Sequence, residues 1–129
     1  MIVLLDTSAM TVYLTLALDD GKTVNQEWQA DRTLARDLLG YLRDSLAKYS
    51  ASFADITAIG VFSGPGSYTG LRIGLTVMNT LAASLKVPIV VAGGKDWQAT
   101  SYERIRQGES DHIVLPDYGG DAHITKPRK

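Results

Sequence analysis

Apolar positions along the chain fall into short continuous runs and longer stretches with helical spacing, and their order predicts the fold. Residues 2–5 form an apolar run suited to a strand covered on both faces. A polar turn, Asp6-Thr7-Ser8, follows, and residues 11–18 resume with Thr, Val and Tyr at strand density. Asp19-Asp20-Gly21-Lys22 is a hairpin turn into a third, more exposed strand, Thr23–Gln29. The first third therefore reads as an antiparallel meander.

Residues 31–49 predict a helix with Asp31 as N-cap and Leu34, Leu38, Leu42 and Leu46 at four-residue spacing. Ala35, Leu39 and Tyr41 widen this stripe, so the helix is expected to touch something on two sides. After a turn at 50–55 comes a buried strand, 56–62, and then a second helix from near Gly70 to about Lys86. That helix is apolar nearly all round, with Ile73, Val77 and Leu81 along one side and Leu75, Met78, Ala82 and Leu85 along another. Such a distribution belongs to a helix buried between two layers. Residues 87–92 make a last strand, ended by Gly93-Gly94. Beyond it, 97–105 read as a short helix, 107–111 as polar loop, 113–116 as an extended piece and 119–129 as a tail. The order βββαβαβ predicts an α/β layer fold with a mixed sheet.

Composition narrows the function classes. A chain of 129 residues, 45% hydrophobic and 21% charged, suits one compact core. A net charge of −1 gives no reason to expect nucleic-acid binding by the chain alone. With no cysteine, disulfides, thiolate catalysis and Cys-ligated zinc are excluded, and a reducing, cytoplasmic location is expected. The first apolar run is too short for a signal peptide, and no stretch approaches the roughly 20 apolar residues of a membrane span.

The chemistry concentrates in Ser63-Gly64-Pro65-Gly66-Ser67-Tyr68-Thr69-Gly70-Leu71-Arg72-Ile73-Gly74, which joins the buried strand to the second helix. Strand, Gly-rich turn and helix suggest an anion cradle, because N–H groups at a helix N-terminus favour negative charge. The spacing matches neither standard phosphate signature: Gly-Lys-Ser/Thr is missing where the run reads Thr69-Gly70-Leu71, and G-x-G-x-x-G is absent. A structural turn is the competing reading, with Gly66 and Gly70 needing positive φ or a close approach.

That run, with Leu4-Leu5-Asp6-Thr7-Ser8, the Asp19-Asp20-Gly21 turn and Val87-Pro88-Ile89, resembles the N-terminal domain of the TsaB (YeaZ-like) family of tRNA threonylcarbamoyladenosine biosynthesis proteins. The resemblance covers residues 1 to about 97. Pro116-Asp117-Tyr118 and Ile124-Thr125-Lys126-Pro127 are similar to how some members end, so the sequence is expected to be a whole short protein. The implied fold is a single actin-like (ASKHA, ribonuclease H-like) half-domain with a mixed sheet of about five strands. Residues 1–97 would form it, with 98–129 as a short extension and tail in place of a second domain.

The implied function is that of a non-catalytic scaffold that binds and activates TsaD, the subunit that moves a threonylcarbamoyl group onto the adenosine beside the anticodon of ANN-decoding tRNAs. The implied partners are TsaD, the ATPase TsaE through the complex, tRNA only within the complex, and a second copy when the chain is alone. No membrane and no cofactor of its own are implied, the ATP of the complex lying near the TsaB–TsaD interface. The interface is expected in the helices, at Leu34, Leu38, Tyr41 and Leu42 of the first and Leu75, Met78, Asn79 and Ala82 of the second. Gly64, Pro65, Gly66, Ser67, Tyr68, Thr69, Gly70 and Arg72 are expected to form the structural loop.

Two departures from the family pattern matter. Members typically carry a second α/β half, whereas about thirty residues follow Trp97 here, and many read His-Ser where this chain has Leu34-Ala35. Losing that half would remove a wall of any actin-like nucleotide cleft, and Asp6-Thr7-Ser8-Ala9 lacks the glycine with which actin-like ATPases hold phosphate. A homodimeric module with another partner, or a nucleotide-binding actin-like remnant, are the alternatives.

Other candidates have bland readings beside the sharp ones. Asp6, Thr7 and Ser8 could hold a metal–phosphate pair or simply satisfy local N–H groups of a turn. Arg72 could cap loop carbonyls or reach a partner carboxylate. His112 and His123 are the only histidines and no His-x-x-x-His pair exists, which leaves no His-based metal site or triad and argues against peptidase chemistry. Lys126, Arg128 and Lys129 read as a solvated tail.

Overall fold

The structure is a computed structural model that describes residues 1–111. The 113–116 piece, the 119–129 tail with its Lys126, Arg128 and Lys129, and both histidines lie outside the described residues.

Five strands, β1 (Ile2–Asp6), β2 (Thr11–Ala17), β3 (Thr23–Gln29), β4 (Ala58–Phe62) and β5 (Ile89–Ala92), form one sheet in the order β3-β2-β1-β4-β5. The meander is antiparallel, Val3 facing Leu16 and Leu14 facing Gln26, while β1–β4 and β4–β5 are parallel. Parallel neighbours need crossovers, and α1 (Leu34–Ala47) and α2 (Tyr68–Leu85) provide them. The expected mixed α/β sheet of five strands is thus what the chain forms.

Successive strand residues point to opposite faces. Val3, Leu5, Val12, Leu14, Leu16, Ile59 and Val61 project into a core with α1 and α2. Leu4 and Phe62 project the other way, toward Leu71 and Trp97. Trp97 opens α3 (Trp97–Arg106), which crosses the second face over β4 and β5, its ring 5.6 Å from Phe62. Ser101 is fully buried and donates to the Trp97 carbonyl at 2.8 Å.

The packed unit runs on past Trp97. Arg104 donates to the Val91 carbonyl at 2.9 Å, to both carboxylate oxygens of Asp111 at 2.6 and 2.9 Å, and to Glu109 at 2.7 Å. Asp111 in turn accepts from the Val91 amide at 2.8 Å, and its own amide donates to the Ile89 carbonyl at 2.7 Å. These contacts cover the outer edge of β5, and the two carboxylates hold the Arg104 guanidinium proton more tightly than usual.

Two helix starts differ from the sequence pattern. Asp31 does not cap α1: Asp31–Thr33 is a 3-10 turn, and the helix begins at Leu34. The Thr33 hydroxyl, at the N-cap, donates back to the Ala30 carbonyl at 2.7 Å. Helix α2 begins at Tyr68, ahead of Gly70, with Ser67 as N-cap accepting from the Gly70 amide. It ends on Lys86 in the left-handed region, at φ 59°.

Candidate docking face and sheet cleft

The Gly-rich run is fastened to the β1–β2 turn. The Ser67 amide donates to the Ser8 carbonyl at 2.7 Å, and the buried Thr7 hydroxyl donates to the Gly70 carbonyl at 2.7 Å. A Cβ at Gly70 would stand 2.2 Å from the Thr7 carbonyl oxygen, and one at Gly74 would stand 2.2 Å from Thr7 Oγ1. Close approach, not positive φ, is therefore what fixes glycine at Gly70. Gly64 does have φ 122°, and its bond to Pro65 is cis.

The Ser67 amide is bound to Ser8 and the Gly70 amide is turned to Ser67, so these two N–H groups at the start of α2 serve the turn. Asp6 likewise accepts the Ser8 amide at 2.8 Å, the local role that competed with metal–phosphate binding.

Most of the side chains expected at a partner interface face inward instead. Leu75 is 1% exposed, Met78 0% and Ala82 2%, and Leu34, Leu38 and Leu42 are equally buried in the core with the sheet. Tyr41 is half-buried and stacks on Trp28 of β3 at 4.6 Å, its hydroxyl accepting from Gln26 at 3.1 Å. Asn79 is half-buried on α2. The reason is helix phase: Gly70 and Gly74 must meet Thr7, and the residues that share their face are Leu71, Leu75, Met78 and Ala82.

The opposite side of α2, with α1, forms the outer surface. A groove of about 460 Å³ runs along Ala35, Tyr68, Thr69, Arg72, Ile73, Thr76 and Val77. It continues at Thr76 and Val77 into a depression with Leu39, Thr80 and Leu81. At Thr69 and Ile73 it meets a third, beside Met10, Ala30 and Arg32. Large apolar groups stand in solvent here: Leu39 is 45% exposed, Tyr68 52% and Met10 65%. Neighbouring apolar positions so exposed mark an interaction surface more than scattered ones do.

Arg72 makes no hydrogen bond or ion pair to another described residue, so it does not cap the loop carbonyls. On α1, Arg36 donates to both oxygens of Asp37 at 2.9 and 3.1 Å. These bonds hold the Asp37 carboxyl below its ordinary range, against an opposing effect of desolvation and with help from Thr33.

The second candidate is the sheet face that α3 leaves open over β2 and β3. Asp6, Tyr13, Thr15, Asn25, Glu27 and Gln98 line a shallow cleft of about 280 Å³ there. Thr15 donates to Asn25 at 2.8 Å and accepts from Gln98 at 3.1 Å. Two carboxylates, Asp6 and Glu27, and no cation line this cleft, so its side chains offer nothing to pair with a bare phosphate. Among the described residues no group of three or more His, Cys, Asp or Glu is placed to hold a metal, and no helix is long and apolar enough to cross a membrane.

Sequence reasoning missed the Arg104 anchor and Met10 at the groove, and it placed Tyr68 in the structural loop, whereas the residue is exposed along the groove at the start of α2. An arginine in α3 followed by acids five and seven residues later carries no recognisable spacing, whereas Met10 beside a fixed turn could be read only once the turn was seen to abut α2.

The family model described as TsaD, tRNA N6-adenosine threonylcarbamoyltransferase, matches residues 28–92, half of the chain. The chain is 60% identical over 35 residues, 27% of its length and 15% of the relative's, to the tRNA threonylcarbamoyladenosine biosynthesis protein TsaB of Bacillus subtilis. It is 32% identical over 77 residues to TsaB of Escherichia coli, covering 59% of this chain and 33% of that one. Among solved structures, YeaZ from Pseudomonas aeruginosa superposes with a TM-score of 0.67 at 29% identity, over 83% of this chain and 49% of its own. The chain thus spans at most about half the length of these relatives.

Proposed function

The chain belongs to the threonylcarbamoyladenosine biosynthesis family described by that model, on its TsaB (YeaZ-like) branch, and from this premise we propose that it is a non-catalytic docking subunit for a TsaD-type transferase. Its fold is then an actin-like half-domain, in which α3 closes the second face of the sheet over β4 and β5.

One observation carries the reading: the α1–α2 surface keeps Leu39 and Tyr68 exposed along a continuous groove lined by the half-buried Ile73 and Val77, while the inner face is already filled by the sheet. The match to a TsaD model supports a partner of related fold, which would present equivalent helices to this face. Alone, the same surface is available to a second copy. The ATP of the complex would be held by the partner side, because the open sheet cleft is bordered by Asp6 and Glu27. TsaE and tRNA would join through the assembled complex.

Reconstitution tests this. Threonylcarbamoylation of an ANN-decoding tRNA is measured with the TsaD-type subunit and ATPase of the same organism, with and without this chain. The expected result is modification only when the chain is present, and no ATPase or transferase turnover by the chain alone. Full modification without it would remove the scaffold role.

A further inference from the structure

Two cations border the outer groove, and neither α1 nor α2 leaves an unengaged carboxylate to meet them. Arg72 lines the groove beside Ile73 and Val77, and Arg32 lines the adjoining depression beside Met10 and Ile73. Neither forms a hydrogen bond or ion pair with another described residue. The carboxylates of α1 are engaged, Asp37 by Arg36 and Asp44 by Arg43 at 3.1 Å. From Tyr68 to Leu85, α2 contains no acidic residue at all.

We propose that Arg32 and Arg72 make this surface selective for a partner whose docking helices carry carboxylates, and thereby disfavour a second copy of the chain. The inference rests on the docking reading above and adds the charge of the occupant. In a two-fold pair of identical chains, each arginine would meet the partner's version of the same surface, which offers apolar, hydroxyl and cationic groups. Covering a guanidinium without a counter-charge is unfavourable. A carboxylate in the same place accepts two parallel N–H bonds and turns that penalty into specificity. The apolar groove provides adhesion to either occupant, and the arginines discriminate between them.

The test measures binding of the full chain to the TsaD-type subunit of the same organism, and self-association by sedimentation, at roughly 50 and 500 mM NaCl. The expected result is opposite salt dependence: the heteromer weakens about tenfold at high salt, while self-association holds or tightens. Arg72→Glu should weaken the heteromer by about tenfold or more, with Arg72→Lys retaining most of the affinity. Val77→Asp, checked by circular dichroism to be folded, reports on the docking face itself. Loss of binding in Val77→Asp together with wild-type affinity in Arg72→Glu and Arg32→Glu would overturn the charge inference and leave the docking reading standing. Wild-type binding by Val77→Asp would overturn both.

Discussion

The side chain of Thr7 fills the space that a Cβ at Gly74 would need: the added carbon would stand 2.2 Å from Thr7 Oγ1 and 2.9 Å from Thr7 Cγ2. This contact, with the Thr7 hydroxyl donating to Gly70, sets the phase and depth of α2 against the sheet. Through that phase it decides which apolar residues of an all-round apolar helix go inside and which remain for a partner.

Gly74→Ala should therefore destabilise the fold by about 1–3 kcal/mol through overpacking. Thr7→Ala should cost a comparable amount, since it removes a buried hydroxyl and its bond. The double variant should be less damaging than the sum, because only the Thr7 Cβ, at 3.1 Å, still crowds the new methyl. Urea unfolding of the four proteins gives the coupling, and strict additivity would mean that the two sites do not communicate as described.

This relationship also explains what could be read from the sequence. Continuous apolar runs, strand-rich residue types and four-residue leucine spacing located the strands and helices of the described residues, and the meander came out with β3 at Thr23–Gln29, because these elements are bounded by Asp-Gly and Gly-Gly turns. The orientation of α2 did not come out, since Leu75 and Val77 are alike to a hydrophobicity pattern. Glycines four apart, Gly70 and Gly74, were the available signal for the inward face. Asp31 was a good cap by type, but a 3-10 turn intervened and gave the position to Thr33. Arg104, which joins α3, β5 and 109–111, depends on tertiary geometry alone.

Arg104→Met should loosen that end of the domain selectively. It leaves the Val91 carbonyl and the Asp111 carboxylate without their guanidinium, a loss of about 1–3 kcal/mol for part-buried charged hydrogen bonds. Hydrogen exchange is the measurement: the amides of Val91 and Asp111 should lose protection by a larger factor than amides in β1. Uniform loss across the sheet would show that Arg104 contributes to global stability instead of anchoring the β5 edge.

Tyr41 should behave as a core-edge residue rather than a contact for a partner. Tyr41→Ala removes the stack on Trp28 and the acceptor for Gln26, and is expected to lower stability by about 2–4 kcal/mol. Tyr41→Phe keeps the stack and should cost under about 1 kcal/mol. Partner affinity of the folded Tyr41→Phe protein should match wild type, and a large drop in affinity without a change in thermal midpoint would place Tyr41 in the interface after all.

The sharpest contrast is between Leu75 and Val77, two positions apart on α2 and on opposite sides of it. Leu75 is packed among core residues, so Leu75→Asp buries an unpaired carboxylate and should unfold the chain, with Leu75→Ala costing about 2–5 kcal/mol. Val77 borders the outer groove, where a carboxylate can stay hydrated in the free chain. Val77 is also partly buried against the core, so Val77→Asp should lower the free chain's unfolding midpoint, but by far less than Leu75→Asp. On docking, the same carboxylate would be covered by apolar surface, and affinity for the partner should fall at least about 100-fold. Thermal unfolding and binding measured on both variants would falsify this assignment of faces if Leu75→Asp proved folded and non-binding while Val77→Asp proved unfolded.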